Sequence, residues 1–172
     1  MIPSPFEISV RPAQRLDAAA IVAIYNEGIR SRRSTFETRE RTTDDILRWF
    51  DSPQYPILVA EQNSEVVGWV AASLYRPREC YAGVAEFSIY VASEAQGRSV
   101  GKALMSGFVL ACAEAGFWKL LSRIFPENKA SLNLCRQFGF REVGIYEKHA
   151  QLDGIWRDVI IVERLLSDPQ NS

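Results

Sequence analysis

The chain has 172 residues, 47% hydrophobic and 24% charged, with a formal net charge of −1. That length predicts a single domain over residues 1–166 that buries about 70% of its unfolded surface, with 167–172 as a frayed tail. The near-balance of charge excludes the basic excess that nucleic-acid binding uses. No apolar run reaches the roughly 18 residues of a membrane span, and the start MIPSPFEISVR lacks the basic and apolar segments of a signal peptide, so a cytoplasmic protein without membrane contact is expected. Cys80, Cys112 and Cys135 are odd in number and form no CxxC, and His149 is the only histidine, so neither a disulfide scaffold nor a metal site is expected.

In chain order, Ile8 to Arg11 reads as a strand ended by Pro12, and Asp17 as the cap of a helix with Ile21, Ile24, Tyr25, Gly28 and Ile29 on one stripe. Residues 31–42 break that period; they are rich in charge, and Phe36 is their one large apolar residue. A second helix starts at Thr42 or Thr43, with Asp44 and Asp45 where the dipole favours them, and ends before Pro53. Ile57 to Glu61 and Val66 to Ala72 flank the turn Asn63-Ser64 as an antiparallel hairpin. A loop from Tyr75 to Gly83 leads to a strand over residues 86–92, where Glu86, Ser88 and Tyr90 alternate with Phe87, Ile89 and Val91. Gln96 to Gly101 is a polar turn, and a helix follows from Lys102 with Leu104, Phe108 and Val109 at helical spacing. Lys119 to Ile124 is a strand, and Asn128 caps a short helix that closes on Gly139. Arg141 to His149 and Ile155 to Arg164 form a last hairpin around Asp153-Gly154. The order β-α-α-β-β-β-α-β-α-β-β predicts an α/β (α+β) fold: a mixed, mostly antiparallel sheet of six to seven strands with about four helices on its faces.

The strand, turn and helix of residues 86–104 carry the functional signal. A glycine-bearing turn that opens a helix leaves several N–H groups unpaired and pointing at one spot, where the helix dipole adds positive charge, and such a spot suits phosphate. A P-loop would need GxxxxGK followed by Ser or Thr; here Gly97 and Gly101 enclose three residues and Ala103 follows Lys102. The dinucleotide fingerprint GxGxxG is absent too. What stands after the strand is Gln96-x-x-Ser99-x-Gly101, which resembles the acetyl-CoA pyrophosphate loop of the GNAT acetyltransferases. Ser99 stands where that family usually has glycine, a departure tolerated if the position does not need φ > 0. The plainer reading is an ordinary strand-to-helix turn.

The element order also looks like the GNAT fold. Within that superfamily, Ala85-Glu86-x-Ser88-Ile89-Tyr90-Val91, Asn128-x-x-Ser131, Phe138-Gly139-Phe140 and Asp153-Gly154-x-Trp156-x-Asp158-Val159 resemble the phosphinothricin and methionine sulfoximine N-acetyltransferases and the related arsinothricin enzymes. The resemblance implies acetyl-CoA as co-substrate, a small amino acid as acceptor and a homodimer. It also implies that the main chain at Ile89 and Val91 holds the pantetheine arm, that Asn128 touches it, and that Ser131 lies one turn further along.

Acetyl transfer from a thioester to an amine needs a neutral amine, a polarised carbonyl and a tolerable thiolate. Glu86 is the best base candidate: at the start of the strand and beside Phe87, partial desolvation would lift its pKa from about 4.3 toward neutrality. The subfamily's catalytic glutamate falls at this position; a solvated strand-end glutamate is the alternative. The N–H groups of Gly97, Arg98, Ser99, Val100 and Gly101 are expected to carry most of the pyrophosphate affinity, with Arg98 and Lys102 as charge partners or simply surface charge. Cys135 stands where related enzymes carry tyrosine or histidine as the acid that protonates the thiolate. A thiol near pKa 8.5 has the capacity to do so, and helix packing is the alternative. His149 is a weaker candidate for that acid.

For the acceptor, Arg76 and Arg78 stand at i and i+2 around Pro77, which favours an extended chain and a forked pair of guanidinium groups. Such a fork suits a carboxylate, phosphinate or arsinate. A pair of surface arginines is the alternative. Phe36 is a candidate wall of that pocket by family analogy, Tyr81 and Tyr90 are weaker candidates, and Trp156 serves either dimer packing or substrate contact. Two competing functions are a protein or peptide acetyltransferase and a non-catalytic CoA-sensing module.

Overall fold

A computed structural model describes residues 7–166, so the predicted tail lies outside the described residues. Seven strands and four α-helices follow along them: β1 (Ser9–Pro12), α1 (Ala18–Ser31), α2 (Thr43–Leu47), β2 (Ile57–Gln62), β3 (Glu65–Leu74), β4 (Val84–Val91), α3 (Val100–Glu114), β5 (Lys119–Ile124), α4 (Lys129–Gln137), β6 (Arg141–Leu152) and β7 (Ile155–Leu165). The strands form one sheet in the order β1-β2-β3-β4-β5-β7-β6. Its neighbours are antiparallel except β4 and β5, which run parallel because α3 carries the chain back between them.

Side-chain alternation divides the sheet into two faces. On one, Gly68 of β3 lets α3 settle close: a Cβ there would lie 3.0 Å from both Leu104 and Val100. Val70, Phe87, Leu104 and Phe108 fill this side, and all four are buried. On the other, Trp69 is fully buried, with its ring 5.0 Å from Tyr90, 5.3 Å from Tyr25 of α1 and 5.3 Å from Trp49 beyond α2. Tyr90 therefore belongs to an aromatic core rather than to a polar face. Burial pushes its hydroxyl up to about 12.

Most predicted boundaries fall within two residues of the observed ones. Thr42 accepts from the Asp45 N–H while the Asp45 carboxylate accepts from Thr42 N–H, a reciprocal cap for α2. Asn128 caps α4 through a bond from Ser131 N–H at 3.2 Å. The Asp153-Gly154 turn has φ of +51° and +78°, as a two-residue hairpin turn requires. Asp17 differs from expectation. It stands at the N-cap of α1, but its carboxylate makes no capping bond there; it accepts from Gln14 N–H and from Arg11, which holds its carboxyl below the usual range. Helix α3 begins at Val100 rather than Lys102.

Candidate active site

The site opens where β4 and β5 part. They pair only from Val84 and Lys119 to Glu86 and Leu121, although β4 continues to Val91 and β5 to Ile124. The orientation of the freed main chain follows from alternation. Ala92 N–H donates to Val67 O of β3, whereas Phe87 O accepts from Ser122 Oγ on the β5 side at 3.0 Å. Phe87, Ile89 and Val91 thus turn their N–H and C=O groups away from β3, and beyond Phe87 these face the gap. Val91 O takes a long 3.4 Å bond from Gln96 Nε2.

The gap leads into a cleft of about 1150 Å³ between the end of β4, the C-terminal half of α1, the turn before α3 and the start of α4. Of the residues expected to hold the cofactor, Ile89, Val91, Gln96, Gly97, Ser99, Val100, Gly101, Lys102, Asn128 and Ser131 line it, and Arg98 does not. Gly97 takes φ +75° and Ser99 φ +67°, so the chain reverses sharply into α3. Ala103 N–H is the first to find a helical partner, Ser99 O at 3.1 Å. The N–H groups of Val100, Gly101 and Lys102 precede it and begin the helix without one. With Ser99 left-handed, the condition on which serine would be tolerated here without strain, that the position not need φ > 0, is not met. Serine there costs about 1–2 kcal/mol.

A different set of contacts surrounds Glu86. Its side chain, 24% exposed, forms an ion pair with Arg123 of β5. Phe87 points to the opposite face of the sheet, and the immediate neighbour of the Glu86 carboxylate is the Arg123 guanidinium. Arg123 went unnoticed in the sequence because its link to Glu86 spans 37 residues and depends on the parallel register of β4 and β5. The one signal was that Leu121 and Arg123 share a face of their strand.

Arg123 lines a recess of about 50 Å³ together with Ser88, Ser122 and Cys135. Ser34, Ile89, Tyr90, Asn128 and Ser131 line both this recess and the cleft, so the two adjoin. Cys135 is 1% exposed, and burial pushes its thiol up to about 12. A thiol so weakly acidic is a poor proton donor to a thiolate of ordinary pKa, which removes the basis on which it was expected to act.

Of the expected acceptor residues, Tyr90 lines both spaces, whereas Glu86, Phe36, Arg76, Arg78, Tyr81 and Trp156 line neither. Phe36 packs edge-on to Phe125 at 4.9 Å within a second small core that also holds Leu152, Val159 and Ile161. Asn26 fastens the segment that carries Phe36 by exchanging two hydrogen bonds with the Arg41 main chain. Arg32, at the other end, pairs with Asp153 of the last hairpin at 3.0 Å. Arg157 stacks over Phe125 at 4.5 Å and reaches Glu127. Arg76 and Arg78 are exposed on the loop after β3, Arg76 lying 5.2 Å over the ring of Tyr75, with Tyr81 edge-on to Tyr75 at 5.4 Å. On β6 a bulge at residues 147–149 is held by Asp158, which accepts from Lys148 N–H at 2.8 Å, and the His149 ring lies 4.9 Å from Tyr146. Trp156 is half exposed.

The family model described as the acetyltransferase (GNAT) family matches residues 21–140. The phosphinothricin N-acetyltransferase of Streptomyces coelicolor is 32% identical over 172 residues, covering 96% of this chain and 100% of the relative. The L-methionine sulfoximine/L-methionine sulfone acetyltransferase of Pseudomonas aeruginosa is 30% identical, covering 95% of this chain and 97% of the relative. Among solved structures, a GNAT superfamily phosphinothricin acetyltransferase from Sinorhizobium meliloti, in complex with acetyl-CoA, superimposes with a TM-score of 0.88 at 29% identity, over 96% of this chain and 91% of that one. With its splayed β4 and β5, its left-handed turn into α3 and these relatives over nearly its whole length, the chain belongs to the acetyltransferase (GNAT) family and is an acyltransferase.

Proposed function

We propose that the protein transfers the acetyl group of acetyl-CoA to the α-amine of a small, glutamate-like amino acid or toxic analogue of the phosphinothricin, methionine sulfoximine or arsinothricin type. The observation that carries this reading is the placement of Glu86 on β4 three residues before Ile89, whose main-chain groups face the gap that leads from the cleft. The diphosphate of the cofactor lies against the N–H groups that open α3, and its pantetheine arm runs along Ile89 and Val91 as an added strand. Lys102 adds charge at the mouth of the cleft, and Asn128 keeps its Nδ2 for the arm while its Oδ1 caps α4.

Glu86 removes one proton from the incoming ammonium, directly or through a water. The amine nitrogen then bonds to the thioester carbon, and a main-chain N–H steadies the oxyanion. The C–S bond breaks as the second proton passes from the nitrogen through water to the departing sulfur, while Glu86 returns its proton to solvent. The products are an amide and CoA thiol, and Cys135 is not needed because the thiolate is a fair leaving group without help. Arg76 and Arg78 grip the distal oxyanion of the acceptor, and Phe36 forms a wall beside it.

The protein works as a homodimer. The strand β6 ends the sheet, with Val143, Ile145 and Tyr146 half exposed along it and Ile155 and Trp156 exposed beside it on β7, an apolar surface that a second copy would cover.

The test follows free thiol release from acetyl-CoA with L-phosphinothricin, L-methionine sulfoximine, arsinothricin, a peptide amine and no acceptor. Turnover with at least one of the amino acids and none with the peptide is expected. Turnover with the peptide alone, or cofactor binding without turnover, would overturn the reading. Sedimentation of the pure protein at twice the monomer mass is expected; a monomer at all concentrations would remove the dimer.

A further inference from the structure

On the reading just given, the Glu86 and Arg123 pair holds a further assignment: we propose that Arg123 binds the α-carboxylate of the acceptor and so fixes its α-amine against Glu86. An α-amino acid carries one ammonium and one carboxylate on a single carbon. The pair presents the complement of that arrangement, a carboxylate and a guanidinium already in contact across β4 and β5. Both side chains are open to an incoming molecule, 24% exposed for Glu86 and 44% for Arg123.

Position supports the exchange. Arg123 lines the recess that shares Ser34, Ile89, Tyr90, Asn128 and Ser131 with the cofactor cleft, so an acceptor whose carboxylate reaches Arg123 stands beside the part of β4 that faces the gap. In the resting protein, Glu86 and Arg123 satisfy one another. An arriving zwitterion replaces that single ion pair with two, ammonium to Glu86 and carboxylate to Arg123, and leaves no charge unpaired. Guanidinium also offers the planar two-pronged donor geometry that a carboxylate accepts. Arg76 and Arg78, exposed and outside both spaces, are then free for the second acidic group that distinguishes glutamate-like acceptors. A substrate amine without an adjacent carboxylate would leave Arg123 on Glu86, so the arrangement selects α-amino acids over simple amines.

The test compares L-methionine sulfoximine with its α-carboxamide on the wild-type enzyme and on Arg123→Gln and Arg123→Lys, reading KM for each acceptor and for acetyl-CoA. The expected result is that Arg123→Gln raises KM for the free acid by about 10- to 100-fold, the loss of one charge-assisted contact. KM for acetyl-CoA stays within about twofold, and Arg123→Lys recovers part of the loss. The carboxamide costs the wild-type enzyme a similar factor, and Arg123→Gln adds nothing further on it, as two changes that remove one contact must behave. An equal penalty on acid and carboxamide, or none on the acid, would overturn the assignment while leaving the acetyltransferase reading in place. Failure of the wild-type enzyme to acetylate methionine sulfoximine, L-phosphinothricin and arsinothricin alike would overturn both. Because Arg123 is an exposed strand residue, thermal melting of each variant within a few degrees of wild type separates a binding defect from a folding one.

Discussion

The two halves of the site are made of different material. The half proposed for the cofactor, from Ile89 to Lys102, is main chain: a strand edge freed where β5 leaves β4, two left-handed residues, and the unpaired N–H groups at the head of α3. The half proposed for the acceptor is side chain: the Glu86 carboxylate and the Arg123 guanidinium, brought together from separate strands. A site of main chain sits within one short stretch and withstands changes of side chain, whereas a site of side chains drawn from separate strands is lost or redirected by one substitution.

Glu86→Gln breaks the side-chain half most severely. Turnover is expected to fall by about 100-fold or more, as for the loss of a general base, while acetyl-CoA affinity measured by calorimetry stays unchanged. Equal loss of affinity and rate would place Glu86 in the cofactor half. Gly97→Ala strikes the other half. A Cβ there meets no atom within 4 Å, so the only cost is left-handed backbone, about 1–2 kcal/mol. To the extent that the turn relaxes, acetyl-CoA affinity should weaken by about 5- to 30-fold, with the acceptor KM unaltered.

Ser99→Gly sharpens the contrast from the opposite side. It removes the strain at φ +67° and, after the entropy that glycine loses on folding, should stabilise the protein by up to about 1 kcal/mol, seen as a rise in Tm, with cofactor affinity retained or improved. Cys135→Ala is the smallest. The thiol, pushed up to about 12, stays protonated from pH 6 to pH 9, so its removal should leave the pH profile of kcat in place and the rate within about twofold. Loss of an alkaline limb from that profile would return Cys135 to the chemistry.

The same division explains what was legible in the sequence. Alternation, helical spacing and turn residues are local signals, and they located the strand of residues 86–92, the turn with Gly97, the Asn128 cap and the Asp153-Gly154 hairpin without reference to the rest of the chain. Ten of the eleven residues expected to hold the cofactor line one cleft because they come from local elements: the end of β4, the turn into α3 and the first turns of α3 and α4. Arg123 was missed because strand register decides which residues of β4 and β5 face one another, and no local pattern encodes it. Asp17 misled for the same reason: the residue type and position suit a helix cap, yet Arg11, fixed nearby by the pairing of β1, claims the carboxylate. Ser99 is a local departure whose cost becomes visible only as a backbone angle.

A crystal structure with acetyl-CoA bound tests the central claim most directly. The diphosphate oxygens should lie about 2.7–3.2 Å from main-chain nitrogens within residues 97–102, with the thioester beside Ile89 and the Glu86 carboxylate facing it. A diphosphate held by side chains elsewhere, or a thioester remote from β4, would contradict it.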